Sequence, residues 1–547
     1  MNLDSLITVA GLFVAVYAII PRVRRLELSL RFGKFGWTIL CVSFLTILYM
    51  QFYKTFIILG LTPGLNLSRW SINTSNASFI TLLLMTLTLL IYISIKGVSK
   101  SNIVKFREYV FELSREKKYS ELFSLIEGNL IKIARVYNGH YLFPRFRDYL
   151  YDHSKDQADF LSLIKGQNAT NQETKPKLRK KACNLWIKTL KIFANLLPTY
   201  DKEKDVAKEI IHEVLINRYT VKAMAEIRPY FALKILSTDF YENNQFVDTY
   251  LRCLAEDTKS ILYHEIRNNQ NLTHNYEYAL PSKNRLLSYL FKDCNLAEKY
   301  GVYKPIGEFV IAHLDHLYSH SQPDTYNEPM GEFYEEGQWD SKLLVGIKFF
   351  DIMVTSALYQ NIQWHMWLYY FPYFVERIER NLAPNEKLVD LNDEWPTKYH
   401  YALYEITSCL CKWITAVDHI PLNQENIVLE TTSAVHENGN IPKSSMLALG
   451  QIVKLILTSN RVSYRFKKYI TDMIYRRYFE LMKKTETASY AKALINSVLC
   501  GGFSMNNISH EYVQCLLDTF ERFDRIPYNT HHVDELRNIL KREYNSI

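Results

Sequence analysis

Three histidines, His313, His316 and His320, fall in the segment IGEFVIAHLDHLYSH at spacings of three and four. On a helix those spacings place all three imidazoles on one face. Two imidazoles and a carboxylate form a ligand set for a divalent ion, and Asp315, Glu332, Glu335 and Glu336 are the nearby carboxylates. A polar helix face beside a linker gives the same pattern. The trio is therefore a candidate metal site, and no metal or other cofactor is assigned. A second pair, Arg267 and His274 in RNNQNLTH, would join a phosphate-steadying cation to a general acid or base. Arg135 and His140 stand in the same order.

The Arg267–His274 pair, with a polar residue after the arginine, resembles the arginine–histidine signature of the all-helical HEPN ribonucleases. That resemblance implies a nuclease in which His274 moves the proton and Arg267 holds the phosphate. Other short catalytic motifs are missing: the chain has no GxxxxGK[ST], GxSxG, HExxH or GxGxxG. The eight cysteines include no CxxC pair. Cys409 and Cys411, two residues apart, point to different helix faces and make a poor zinc site. On these residues an enzyme is the lesser reading.

Two basic stretches offer anion contacts. Residues 175–193 carry seven Lys/Arg and no acid, with Lys177, Arg179, Lys180 and Lys181 at their centre. Residues 461–484 carry eight Lys/Arg against Asp472 and Glu480. There Arg461, Arg465, Lys468 and Arg476 recur along one face, interleaved with Tyr464, Phe466, Tyr469 and Tyr478. Fixed cations suit phosphates, and aromatic faces suit bases. The anionic headgroups of a membrane would serve equally. A solvated face over an apolar one has the same composition, and nucleic acid is not the favoured partner.

The elements that must hold these residues start with a membrane segment. Three apolar stretches, about 3–20, 36–60 and 78–95, read as transmembrane helices. Asp4 stands before the first, and Arg22, Arg24, Arg25, Arg31 and Lys34 follow it, the reverse of a cleaved signal peptide. The positive-inside rule puts those five residues in the cytoplasm, the N-terminus outside and the third helix returning inward at Lys96 and Lys100. Residues 1–100 hold nine Lys/Arg and two Asp/Glu, so +7 of the chain's formal +8 lies there. The excess positive charge thus belongs to the membrane segment and says little about nucleic acid. A multi-pass protein of an inner membrane, with its large C-terminal region in the cytoplasm, is the expectation.

The rest reads as all-α. Only 18 glycines and 16 prolines occur in 547 residues, too few for the turns that sheets demand. KYSELFSLIEGNLIKIARVY spaces Leu122, Leu125, Ile126, Leu130 and Ile133 as one helix face. Polar breaks at 165–178 and 321–340 separate a juxtamembrane helical segment (101–165), a helical domain (176–320) and a C-terminal helical domain (340–547), and a third break at 430–444 divides the last into two helical blocks. A solenoid-like arrangement or an irregular bundle follows, with no fixed repeat. Residues 343–374 are apolar nearly all round and are expected at the centre of a core, since Lys348 and Asp351 argue against a span.

The functional expectation is a membrane-anchored sensor or effector whose helical region binds a trigger, a protein partner or a second copy of itself. A tethered scaffold is the alternative, and a tethered nuclease or metal-dependent enzyme the next. Three short spans joined to a large helical region resemble, in layout, membrane-disrupting effectors of bacterial anti-phage systems.

Overall fold

A computed structural model describes residues 18–60, 74–95, 102–139, 201–238, 240–270, 277–319, 324–362, 366–383, 395–418, 441–502, 509–523 and 529–546, with isolated positions 11 and 189. Among the described residues the protein is all-α, with 22 α-helices and no strand. Side-chain caps start many of the helices. Asn217, Asp293, Ser341, Thr397, Ser463 and Ser509 each accept a bond from an amide in the first turn, satisfying donors that a helix N-terminus leaves open. The chain divides into two compact units, Met1–Glu242 and Asn243–Ile547, and the division falls inside the block 176–320.

In the first unit, helix α1 (Arg22–Gln51) follows Pro21 and bends by 80° between its arms Arg24–Arg31 and Gly36–Met50. Gly33 and Gly36 lie at the bend, where a helix yields most easily. Beyond it come α2 (Tyr53–Ile58) and α3 (Thr74–Ile95), and α1 packs along α3. No single helix among the described residues is long and apolar enough to cross a membrane; the bent α1 meets the length and composition only as a pair of arms. The apolar part of α3 runs Ala77–Tyr92, about 24 Å at 1.5 Å per residue. Of the stretch 3–20, only positions 11 and 18–20 are described.

The first arm of α1 is tied to α4 (Ile103–Arg115). Arg22 pairs with Glu112 at 2.7 Å and Glu116 at 3.1 Å, and Asn102 donates to the Leu30 carbonyl at 2.6 Å. Helix α4 turns Ile103, Phe106, Val110 and Leu113 inward, the face its sequence spacing demands. Helices α5 (Tyr119–Glu127) and α7 (Asp201–Leu215) pack with it, and α6 (Leu130–Tyr137) packs against α7. Arg107 reaches Glu209 on α7 at 2.9 Å.

The second unit gathers around a buried helix. Its early helices include α10 (Asn243–Glu256), α11 (Ile261–Asn268), α12 (Arg285–Phe291) and α14 (Tyr303–Ser319). The central helix α15 (Lys342–Tyr359) buries every residue from Leu343 to Leu358 except Lys348, as an apolar circumference requires. Gly346 lets α14 approach it, for a Cβ there would lie 2.4 Å from the Val310 side chain. Helices α16 (Tyr370–Asn381), α17 (Lys398–Thr415), α18 (Ile441–Thr458), α19 (Tyr464–Met482), α20 (Ala488–Leu499), α21 (His510–Glu521) and α22 (Thr530–Ser546) complete the unit.

Candidate functional site

The histidine cluster is only partly described. His313 and His316 lie on α14, and His320 falls outside the described residues. The His313 ring stacks on Phe309 and meets Tyr326 edge-on. Burial, with smaller contributions from Lys342 and His316, lowers its pKa to about 4. His316 is exposed. Asp315 is engaged by Arg377 at 3.2 Å and by Arg380, and both arginines lie on α16. One group of metal-ligand type does cluster among the described residues: the ligand atoms of His531, His532 and Glu535 lie within 4.8 Å of one another. Lys492 already pairs with Glu535 at 3.5 Å.

Arg267 ends α11 and faces Glu336 at 3.7 Å, whereas His274 lies outside the described residues. The basic stripe on α19 divides. Arg461, just before the helix, sends Nη1 to the carbonyls of Glu379 (3.4 Å), Arg380 and Leu382 (3.2 Å). It thus closes the C-terminal end of α16, where a cation is favoured. Lys468 pairs with Asp472 at 2.6 Å, Arg476 lies over the Phe523 ring, and Arg465 and Arg476 are exposed. Phe466 and Tyr478 face the core, and Tyr464 sits under Arg522. Lys177, Arg179, Lys180 and Lys181 lie outside the described residues. On α1, Arg22 and Arg24 hold Glu112, Glu116 and Glu27, and Arg25 and Arg31 lie on the same arm; nothing is described of the Lys34 side chain.

The structure also brings together residues whose spacing gave no warning. Inside the second unit, a cavity of about 440 Å³ is lined by Asn269, Gln270, Tyr278, Gln338, Trp339 and Lys348 among others. The end of α11 is fixed there by Glu265, whose buried carboxylate accepts the Leu286 and Leu287 amides of α12 at 3.1 and 2.9 Å. Asn284 adds a bond to the Glu265 carbonyl at 3.1 Å. Asn269, 2% exposed, follows at the helix end, and neither atom of its carboxamide finds a hydrogen-bond partner among the described residues.

Comparison with family models, curated proteins and solved structures gives no match.

Behind the cavity wall runs a buried ionic network. Lys348 pairs with Glu405 at 2.6 Å, and Lys412 pairs with Asp351. Tyr278 donates to Asp351 at 2.5 Å, and Trp413 donates to Thr355 at 3.0 Å. Burial would lower the Lys348 pKa, but Glu405, Cys409 and Asp351 outweigh it and hold the ammonium above lysine's ordinary value. Burial would raise the Asp351 carboxyl, yet Lys412 and Lys348 hold it below the usual carboxylate range. Burial pushes the Cys409 and Cys411 thiols up, Cys411 to about 12, so neither is a ready thiolate.

Proposed function

We propose that this chain is a membrane-anchored helical protein whose large C-terminal part acts by binding, as a sensor or effector. One observation carries the reading. Around α1 and α3 the apolar side chains turn outward: Trp37, Val42, Leu45, Leu83, Leu84, Leu87, Leu90 and Ile91 are each more than half exposed. On the helices of the second unit and on most of the first, exposed aliphatic side chains occur singly, as at Ile131 and Ile227, rather than as a continuous face. An apolar surface of this extent is costly in water and natural in lipid. The stretches 36–60 and 78–95 form the embedded part in this reading, with 3–20 as a third element. Short apolar segments are accommodated by local thinning of the bilayer or by self-association.

Arg22, Arg24, Arg25 and Arg31 precede the bend, and in this reading they would meet the headgroups of a cytoplasmic leaflet. The bonds from Arg22 and Asn102 join α1 to α4. A rearrangement of α4 would therefore bear directly on the apolar helices, which suits a sensor coupled to its anchor.

The test is alkaline carbonate extraction of membranes from cells expressing the full-length chain. Retention in the pellet supports anchoring; complete release into the supernatant refutes it. Replacing residues 1–100 by an unrelated anchor then separates two roles. A coupled effector loses its cellular phenotype on the swap, and a passive scaffold keeps it.

A further inference from the structure

The start of α22 carries donors that the ion pairs around it do not use up. His531, His532 and Glu535 each place a ligand atom within 4.8 Å of the other two. The two imidazole rings stand 5.7 Å apart at 85° to one another. Residues four apart share a helix face, so His531 and Glu535 lie one above the other, and His532, three before Glu535, closes the triangle. Asn529 steadies this turn, its side-chain oxygen accepting the His531 amide at 3.1 Å.

Glu535 divides its two oxygens. Oε1 faces Lys492 of α20 at 3.5 Å, while Oε2 stands 3.7 Å from Nδ1 of His532. That Nδ1 is shielded from solvent and has no hydrogen-bond partner among the described residues. At 3.7 Å the pair is too far apart for a hydrogen bond. It is within the span of one ion, because zinc lies about 2.0–2.2 Å from nitrogen and oxygen ligands and so fits between atoms up to about 4.2 Å apart. An ion held between its ligands needs no water-sized space, so the shielding of Nδ1 is no bar to it. The exposed His531 and the partly exposed Glu535 give it a route in from solvent. The other carboxylates at this end are taken, for Asp534 and Glu521 both meet Arg537, at 2.6 and 3.2 Å. The His313 face differs in the same respect: its carboxylate, Asp315, is engaged by Arg377 and Arg380.

Two imidazoles and one carboxylate suit a transition ion such as zinc, whereas magnesium and calcium prefer oxygen ligands throughout. We propose that His531, His532 and Glu535 bind a divalent ion of the zinc class through three protein ligands, with water in the fourth position. A helix N-terminus disfavours a cation, and the Glu535 carboxylate supplies the opposing charge. Closed structural zinc sites take four protein ligands, and three leave a position that exchanges. The ion therefore offers a Lewis-acid position on the second unit, open to a donor atom of a substrate or partner. The site stands apart from the membrane reading, because binding by the detergent-solubilised chain does not depend on where the chain resides in a cell.

The experiment is equilibrium dialysis of the full-length chain in detergent, first freed of metal by a chelator, against zinc chloride, with magnesium and calcium chloride in parallel. The expected result is saturable zinc binding that magnesium and calcium in excess do not displace. His531→Ala and Glu535→Gln should each weaken one bound zinc by about tenfold or more, with helical content by circular dichroism unchanged. Cobalt(II) in place of zinc should give a visible spectrum that His531→Ala alters, which a merely structural histidine would not do. Should Glu535→Gln lose helical content with its Lys492 pair, His531→Ala decides, since that side chain is exposed. The proposal is overturned if no zinc binds saturably up to about 100 μM. It is equally overturned if folded His531→Ala binds zinc as the parent does, which would place the bound zinc at other histidines or cysteines, or if calcium or magnesium displaces zinc readily, which would mark a carboxylate site instead.

Discussion

The Asp351 carboxylate accepts the Tyr278 hydroxyl at 2.5 Å in the middle of a helix that is otherwise buried and almost wholly apolar. Its other oxygen meets Lys412 and Thr355. A buried carboxylate with this many partners is not a net source of stability, since desolvation offsets most of the attraction. Removing one member is a different matter, because it strands the others. Asp351→Asn leaves the Lys412 charge short of its counterion and should cost about 3–5 kcal/mol. The pH dependence follows from the depressed folded-state pKa of Asp351. Its contribution is present above the unfolded value of about 4 and is lost as pH falls through the lower folded value. Lys348 is shifted the other way, upward, so its contribution holds below about 10.4 and fails as pH rises beyond that. Hydrogen exchange of the α15 amides against pH should show a plateau bounded on both sides, and Asp351→Asn should flatten the acid limb.

His400 is buried and His313 half-buried, each with its pKa lowered to about 4 and loss of solvent the main cause, so both are held in the neutral form. An unfolded chain takes up protons at these positions from about pH 6.5 downward. The folded second unit should therefore lose stability as pH falls from about 6.5 to 4, by at most about 3 kcal/mol for each histidine. Thermal unfolding at pH 7, 6, 5 and 4 measures the slope. His400→Gln, which cannot titrate, should reduce it, and an unchanged slope would show that other groups dominate the acid response.

Much of the fold was legible because it rests on local pattern. The 3.6-residue spacing of Leu122, Leu125 and Ile126 gave α5, and all three are buried. The apolar circumference of 343–374 pointed to the centre of a core, and the structure supplies it in two pieces, α15 and the buried start of α16 at Phe371 and Phe374. The sites were less legible because burial and pairing are tertiary facts. Arg461 reads as one cation in a basic stripe, but its guanidinium closes the end of a helix about 80 residues earlier, at the carbonyls of Glu379, Arg380 and Leu382. Lys348 and Asp351 could be read as arguments against a span, yet their counterions Glu405 and Lys412 lie 57 and 61 positions away. Asn269 sits in the polar run RNNQ, which looks like an exposed helix end, yet it is 2% exposed. The 80° bend of α1 is the reverse case, since Gly33 and Gly36 announce a weak point but not the angle.

The unpartnered carboxamide of Asn269 has a consequence for stability. A buried donor and acceptor left without partners cost about 1–3 kcal/mol, and replacing them by an apolar group of similar shape relieves that cost. Asn269→Leu is therefore expected to leave the chain as stable as the parent or to raise its unfolding midpoint. Most buried substitutions destabilise, so a neutral or stabilising result would mark Asn269 as a residue kept for something other than the fold. A midpoint lowered by several degrees would instead show that the carboxamide is satisfied in solution.

Leu84 separates a lipid-facing helix from an exposed one. It lies mid-way along α3 and is 55% exposed. In water, a leucine so placed can become lysine with an effect within about 0.5 kcal/mol. At the centre of a bilayer the same change costs about 2.5–3.5 kcal/mol on insertion scales. Leu84→Lys should therefore shift the chain from the carbonate-resistant pellet towards the soluble or degraded fraction. The unfolding of the detergent-solubilised second unit should not move. Ile227→Lys, at a 49% exposed position on α8 (Arg218–Ile227) in the same unit as α3, is the matched control and should leave the pellet fraction unchanged. Equal behaviour of the two variants would mean that the outward apolar face of α3 meets something other than lipid, and a protein surface covering that face would then replace the bilayer as its partner.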